Sequence, residues 1–521
     1  MVKGFRQIAS LTVVSRIFGL IRDMTFSHFL GAGWLMTAWT MGFKIPNLSR
    51  RLFGEGAASA SFIPVYSEKL YEDPEQARQL RNTVVTVLFI LLASIVLVGQ
   101  GLVLVYYRYF ADNTGTRLGL VLCSLMLPYM IFICIVAILA GILNVHRHFA
   151  APAAAPIVLN IFIIGSVLLT GVVFNISPER QVFFIASAVL TAGLVQISIQ
   201  IPPLCGAGIS IRPQWRVHSD AFKKIVIMMG PMIIGLTVTQ INTLADDIIA
   251  LFFSNEQGDP LGWGSVSYLY YSQRLYQFPL GVLGISLATA IFPVMSSDAA
   301  RKDYETLCRT ISQGIKGAVF IALPATAGLI MVSRPLVSVI FEHGEFTASD
   351  TSMVSWTLRF YSLGLCGYFS QQIATRAFYS MQDSKMPAVT AAAAVVVNVV
   401  LNLILIWFLG TGGLALSTAV CSYLQVTILL FVLRRRFKHS ILTGLTATVV
   451  KTTLATVVMC IVGTSLLYLM RRLPDGADGL RFDILRLAAV VPSSAAAYYL
   501  SGRLLANEML SLFTGTKKAE Q

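Results

Sequence analysis

Apolar runs long enough to cross a lipid bilayer recur along the whole chain, separated by short polar connections. A hydrocarbon core of ~30 Å needs about 20 mostly apolar residues in a helix. Fourteen stretches meet that need: 8–30, 34–62, 83–107, 118–145, 155–177, 182–204, 225–253, 265–296, 314–333, 352–380, 387–409, 413–433, 446–470 and 484–506. Pro, Gly or charge interrupts the second, eighth and ninth, so breaks are expected there. The pattern predicts an all-α polytopic membrane protein of about 14 transmembrane helices. The first run lacks a small-residue cleavage site and carries Arg16 and Arg22, so it reads as a span and not as a cleavable leader.

Composition agrees with that pattern. Of the 521 residues 56% are hydrophobic and only 12% charged, against about 25% charged in soluble domains; the mean hydropathy is +0.73. The net charge of +14 follows from topology. An even number of spans puts both termini on one side, with clusters such as Lys69/Arg78/Arg81 and Arg434/Arg435/Arg436/Lys438. That side holds about 20 Lys and Arg against about seven opposite, which makes it cytoplasmic. No nucleic-acid partner is needed to explain the charge. The seven cysteines form no CxxC pair and the six histidines do not cluster as ligands, so no metal site and no disulfide framework is expected.

Faint internal repetition organises the spans. FIPVYSE (62–68) ends the second and IFPVMSSD (291–298) the eighth; ILNVHRHFAAPAAAP (142–156) and AFYSMQDSKMPAVTA (377–391) join the fourth to the fifth and the tenth to the eleventh. Separations of about 230–235 residues, or six spans, predict two parallel six-helix halves, a plan that transporters use with substrate held between the halves. The expected domains are 1–206, 207–438 and a C-terminal helix pair with its tail, 439–521. That pair is either a packing appendage or a groove for a long hydrocarbon tail.

The polar residues inside apolar runs carry the chemistry. Residues 15–64 contain Arg16, Arg22, Asp23, Lys44, Arg50, Arg51 and Glu55. One arginine at the centre of a membrane helix costs roughly 2.5–3.5 kcal/mol, so three or four at depth cost ~10 kcal/mol. Such side chains must face a protein-lined or watery interior. Arg16 and Arg22 lie about 120° apart around a helix, and Arg51–Glu55 has the spacing of an intrahelical pair. The eighth span adds Arg274. Guanidinium forks match phosphate oxygens in pairs, so this set suits a pyrophosphate, with Asn47, Ser267 and Gln273 available to sugar hydroxyls. Gly54, Gly56, Gly281 and Gly284 suit close helix packing or a hinge. Asp246 and Asp247 in the seventh span, Asn398 and Asn402 at i, i+4 in the eleventh, and Thr418 in the twelfth offer hard oxygen atoms. Asp246, Asn398, Asn402 and Thr418 are therefore a candidate sodium or proton site, with a buried hydrogen-bonded aspartate as the plainer reading.

The segments SRIFGLIRD, GAG, FKIPNLSRRLFGEGAASASFIPVYSE, GPMIIGLTVTQI, SYLYYSQRLYQFPLGVLG and FYSMQD resemble the MurJ (MviN) family of lipid II flippases, within the multidrug/oligosaccharidyl-lipid/polysaccharide exporter superfamily. The resemblance runs from first span to last. It implies two six-helix lobes, a hydrophobic groove formed by spans thirteen and fourteen, substrate-binding roles for Arg16, Arg22, Arg50, Arg274 and Glu55, and lipid II as the bound partner. Two positions depart from the family pattern: Thr37 stands where relatives carry an aspartate, and Gln277 where they carry an acidic residue.

The function implied is movement of undecaprenyl-pyrophosphate-linked disaccharide-peptide from the cytoplasmic to the periplasmic leaflet of the inner membrane by alternating access. No catalytic residue, metal or bound cofactor is expected. The absence of GxxxxGK[ST] argues against direct ATP use and leaves sodium, protons or the membrane potential as the energy source. A monomer suffices, and the cell-wall synthesis machinery is the expected protein partner. The alternatives are an exporter of another polyprenyl-linked oligosaccharide, or a membrane enzyme or scaffold of cell-wall synthesis using acids such as Glu342, Glu345, Asp475, Asp478 and Asp483.

Overall fold

The computed structural model describes residues 2–54, 57–111, 114–255, 257–437, 443–472, 479–506 and 508–510. Among these, the helices follow one another as fourteen segments, here called spans one to fourteen. They are Val2–Leu30; Trp34–Ser49 continuing to Gly54, with Ala57–Glu72; Pro74–Tyr109; Thr114–Met126 with Tyr129–Val145; Ala150–Val173; Pro178–Gly206; Asp220–Phe252; Ser265–Ala300; Tyr304–Phe341; Ala348–Leu363 with Leu365–Ser380; Lys385–Leu409; Thr411–Phe437; Leu445–Arg471; and Leu480–Leu504. Among the described residues nine are long and apolar enough to cross a membrane alone, and a tenth is span four, bent by 40° at its break. Spans one, two, seven and ten are the remainder, and they carry polar and charged side chains along their length.

Local chemistry sets many of the boundaries. Asp73 caps span three by accepting from the N–H groups of Glu75 and Gln76 at 3.0 and 3.1 Å, with Pro74 in the first turn. Thr347 and Asp350 form a reciprocal capping box at the start of span ten. Gly410, at φ +57°, turns the chain between spans eleven and twelve. The breaks in spans two and eight share one design. Pro46 precedes a π-turn at Arg50–Gly54, and Pro279 precedes one at Leu280–Gly284. Proline removes a backbone donor and clashes with the preceding turn, so the helix relaxes into the wider coil.

The chain divides into two compact units, 1–240 with 344–346, and 241–343 with 347–521. In the first, span two packs on spans three and four, and span six on spans four and five; in the second, span eight packs on nine and ten, and span twelve on ten and eleven. The same neighbours recur six spans later. Each unit has an aromatic core around its broken span. Phe26, Trp39, Phe43 and Tyr129 link spans one, two and four at centroid distances of 5.3, 5.8 and 6.1 Å. Tyr276 stacks on Tyr361 at 4.8 Å and on Tyr368 at 5.4 Å, joining spans eight and ten. Such ring pairs each contribute about 0.5–1.5 kcal/mol beyond burial. Spans thirteen and fourteen pack on each other and on span nine, so they belong to the second unit.

Gly284 serves packing: a Cβ there would lie 3.1 Å from the buried Phe369 ring. Gly56 lies outside the described residues. Gly31, in the GAG sequence, is required twice over. Its φ is +65°, and a Cβ would come within 2.7 Å of the Glu345 carbonyl oxygen. Glu345 N–H donates to the His28 carbonyl at 2.9 Å in the same unit.

Polar contacts pin the connections of the first unit. Arg81 donates to the Ser210 carbonyl at 2.9 Å, Gln214 N–H to Thr86 Oγ1 at 3.0 Å and Arg216 to Gln79 Oε1 at 2.7 Å, so the segment before span seven runs along span three. Beside them, the buried Tyr66 hydroxyl lies 3.1 Å from His146 Nε2. Burial, then the Arg81 guanidinium and His148, hold the His146 imidazole below its ordinary range. The native state therefore resists a proton that the unfolded chain takes up near pH 6.5. Wild-type thermal stability should fall as pH drops below about 6.5, where His146→Gln loses that part of the slope. Melting curves of both proteins between about pH 5 and 7.5 check this.

Candidate functional site

In the first unit Arg22 and Asp23 of span one are solvated by protein. Asp23 is 3% exposed and accepts from Arg22 Nε and Nη2 at 3.1 and 2.7 Å. Arg22 Nη1 donates to Asn160 Oδ1 on span five at 3.1 Å, and its guanidinium lies 6.0 Å from the Phe26 ring. Pairing and amide bonding together make a buried guanidinium affordable in an apolar bundle. Asn160 was not singled out from the sequence; its signal is a lone amide midway along an otherwise apolar run. Arg16, a turn and a half earlier, is exposed.

Span two holds its cations at the π-turn. Arg50 Nε and Nη2 donate to Asn47 Oδ1 at 3.2 and 3.0 Å, so Asn47 orients Arg50. Arg51 donates to Gln240 Oε1 at 3.0 Å. Glu55, expected as its i+4 partner, lies outside the described residues. Lys44 is half-buried and Thr37, at the first departure from the family pattern, is buried.

In the second unit Arg274 is exposed, its guanidinium 4.6 Å over the Tyr270 ring and its Nη2 donating to the Tyr270 hydroxyl at 3.2 Å. The ring face holds the guanidinium by cation–π attraction. Gln277 is exposed, Ser267 is fully buried, and Gln273 Nε2 donates to the Tyr361 hydroxyl at 3.1 Å.

Asp246, Asn398, Asn402 and Thr418 come together in the same unit. Asp246 is 2% exposed and both asparagines are fully buried. Asn402 Nδ2 donates to Asp246 Oδ1 at 2.6 Å, and Thr418 Oγ1 to Asp246 Oδ2 at 2.9 Å. Asn398 donates to Asp246 Oδ1 at 2.9 Å and Asn242 Oδ1 at 3.2 Å, and accepts from the Thr418 backbone N–H at 3.3 Å. Ser417 donates to Asn402 Oδ1. Asn242 and Ser417 are additions to the sequence-based set, each one turn or one residue from a member of it. One carboxylate with amide and hydroxyl oxygens is a donor set that fits a small hard cation. No group of three or more His, Cys, Asp or Glu assembles among the described residues.

A family model described as "Lipid II flippase MurJ" matches residues 26–475. The "Probable lipid II flippase MurJ" of Vibrio cholerae is 35% identical over 437 residues, 81% of each chain. The "Lipid II flippase MurJ" of Burkholderia cenocepacia is 29% identical over 441 residues, 82% of this chain and 83% of that one. Among solved structures, "Lipid II flippase MurJ, inward closed conformation" matches with a TM-score of 0.73 at 26% identity, over 98% of both chains. An inward-facing MATE transporter of the MOP superfamily matches with a TM-score of 0.67 at 15% identity, over 83% of this chain and 98% of that one, and shares the fold.

The Arg22–Asp23–Asn160 geometry generates a stability test. Asp23→Asn removes the buried carboxylate that pairs with the half-buried Arg22 at 2.7 Å and should destabilise the protein by up to about 3 kcal/mol. Asn160→Ala should cost about 1–3 kcal/mol by removing one acceptor. Thermal melts of purified protein at matched detergent concentration read both.

Proposed function

The chain belongs to the lipid II flippase MurJ family, and from that premise we propose that it moves lipid II from the cytoplasmic to the periplasmic leaflet of the inner membrane. The family match over residues 26–475 carries this reading. The protein is a multi-pass membrane transporter and makes or breaks no bond; both termini are cytoplasmic in this reading, on the positive-inside count. It works as a monomer by alternating access, and the cell-wall synthesis machinery takes up what it delivers.

Arg16, Arg22, Arg50 and Arg274 bind the substrate pyrophosphate, with Glu55, Asn47 and Ser267 as accessory contacts. The exposure of Arg16 and Arg274 supports direct contact, since a phosphate needs donors that it can reach. Arg50 is oriented by Asn47, and Arg22 exchanges part of its bonding with Asp23 and Asn160 for the phosphate. Neutral Thr37 and Gln277 leave these positions without carboxylates and favour a substrate of strong negative charge. Complementation in a bacterium depleted of its own flippase tests the proposal, with flipped lipid II read in the periplasm. Wild type should restore flipping, while Arg16→Ala, Arg50→Ala and Arg274→Ala at matched membrane abundance should each lower it tenfold or more. One charge-assisted bond is worth about 1.5–3 kcal/mol, and 1.4 kcal/mol is a factor of ten. Normal flipping by the variants overturns the arginine roles. Failure of correctly inserted wild type favours another polyprenyl-linked oligosaccharide as substrate.

Asp246, Asn398, Asn402 and Thr418 form the coupling site, taking Na+ or H+. Wild-type transport should then depend on sodium or pH, and Asp246→Asn should flatten that dependence. Flipping measured across sodium concentration and pH decides it: a wild type indifferent to both removes the coupling role.

A further inference from the structure

The second unit contains a polar cavity of about 1180 Å³ that the transport mechanism above does not use. It lies between the last three turns of span nine, the interior of span ten at Arg359, the end of span thirteen and the start of span fourteen. Arg334, Arg359 and Arg486 line it, with Glu342 and Asp483. The two carboxylates are already engaged: Glu342 accepts from Thr351 at 2.7 Å, and Asp483 from Arg486 Nη1 at 2.9 Å. The cations are less satisfied. Arg486 Nε is buried with no hydrogen-bond partner. Arg359 spends its Nε on Ser333 at 2.9 Å and is otherwise exposed. Arg334 is exposed, and no hydrogen bond or ion pair holds it among the described residues. Three guanidiniums against two occupied carboxylates leave the cavity with a surplus of unspent donors.

The wall leading away from the cavity is apolar. Val450, Leu454, Val457 and Ile461 on span thirteen are 56%, 50%, 49% and 59% exposed, and Tyr468 at the cavity is 56% exposed. Their spacing of three, four or seven residues places them on one face. From Val450 to Tyr468 that face extends roughly 27 Å at 1.5 Å per residue, close to the ~30 Å hydrocarbon thickness. A donor-rich cavity at the end of a membrane-length apolar stripe has the two-part chemistry of a lipid, a charged head and a long tail. Basic pockets between transmembrane helices hold anionic head groups for this reason.

We propose that this cavity binds the phosphate of an anionic membrane lipid through Arg334, Arg359 and Arg486, with the hydrocarbon chains lying along span thirteen. Both a bilayer phospholipid and a polyprenyl phosphate offer that chemistry. Only the second source rests on the transport reading, so phospholipid binding tests the cavity independently of flipping.

The test is native mass spectrometry of the full-length, delipidated protein titrated with phosphatidylglycerol, phosphatidylcholine or undecaprenyl phosphate. The proposal expects phosphatidylglycerol or undecaprenyl phosphate to bind well above phosphatidylcholine. Binding should weaken about tenfold in Arg334→Gln and in Arg486→Gln, one charge-assisted contact each. Phosphatidylglycerol binding identifies a bilayer lipid as the ligand; binding of undecaprenyl phosphate alone identifies the polyprenyl carrier. Should Arg486→Gln fail to fold, Arg334→Gln decides, because it removes an exposed side chain. Wild-type affinity in Arg334→Gln, equal binding of phosphatidylcholine, or no binding of either anionic lipid overturns the proposal.

Discussion

A charge inside hydrocarbon has no water to solvate it, so the protein must supply its partners from the same bundle. The two units meet this constraint at corresponding places and in different ways. In the first, Asp23 on span one is met by Arg22, and Asn160 on span five completes the cluster. In the second, Asp246 on span seven is met by Asn402 on span eleven and Thr418 on span twelve. Both clusters tie the leading span of a six-helix half to the fifth. In the first a cation bonds the carboxylate, and in the second bonds to Asp246 come from an amide and a hydroxyl. A shared scaffold thus carries an ion pair in one half and an amide- and hydroxyl-bonded carboxylate in the other.

The same economy governs the broken helices. Backbone groups in a bilayer must be bonded internally, which makes irregular helix expensive unless neighbouring helices surround it. Spans two and eight nevertheless both carry a proline followed by a π-turn. At the first of these sit Asn47, Arg50 and Arg51, and just before the second sit Gln273, Arg274 and Gln277. The break costs helical hydrogen bonding and changes the direction of the side chains that follow it. The aromatic groups packed around each broken span hold that geometry firm, with Trp39 and Phe43 in one unit and Tyr276, Tyr361 and Tyr368 in the other.

Cations recur at a third place, the end of spans nine, thirteen and fourteen, with a different setting. Arg22 and Arg50 are held by Asp23, Asn160 and Asn47, whereas Arg334 and Arg359 are exposed on the cavity wall. A guanidinium that water or lipid phosphate can reach needs fewer protein partners than one enclosed by helices. The C-terminal pair therefore does more than cover span nine. It supplies the apolar stripe and half of the cavity wall.

Much of this molecule was legible in its sequence, for a physical reason. A bilayer demands long apolar helices, so the apolar runs marked out the segments, and Pro and Gly the interruption of spans two and eight. The ninth, expected to break as well, runs as one helix from Tyr304 to Phe341 because Pro324 and Pro335 are accommodated within it. The cost of buried charge likewise pointed to Arg22 and Asp246, which sit in hydrogen-bonded clusters, whereas Arg16 and Arg274, read the same way, are exposed. Side-chain partnership was the part left to tertiary structure. Arg22 and Asn160 are 138 residues apart and Asp246 and Thr418 are 172 apart, and no local pattern encodes such pairs. Nor could sequence tell that Ser267 is fully buried while Arg274, seven residues on, is exposed. Helix rotation about its own axis is set by packing against neighbours, and apolar runs with apolar residues on every side leave that rotation undetermined. The segments and their charges belonged to the chain; which of those charges are paired, caged or left open was decided when the helices packed.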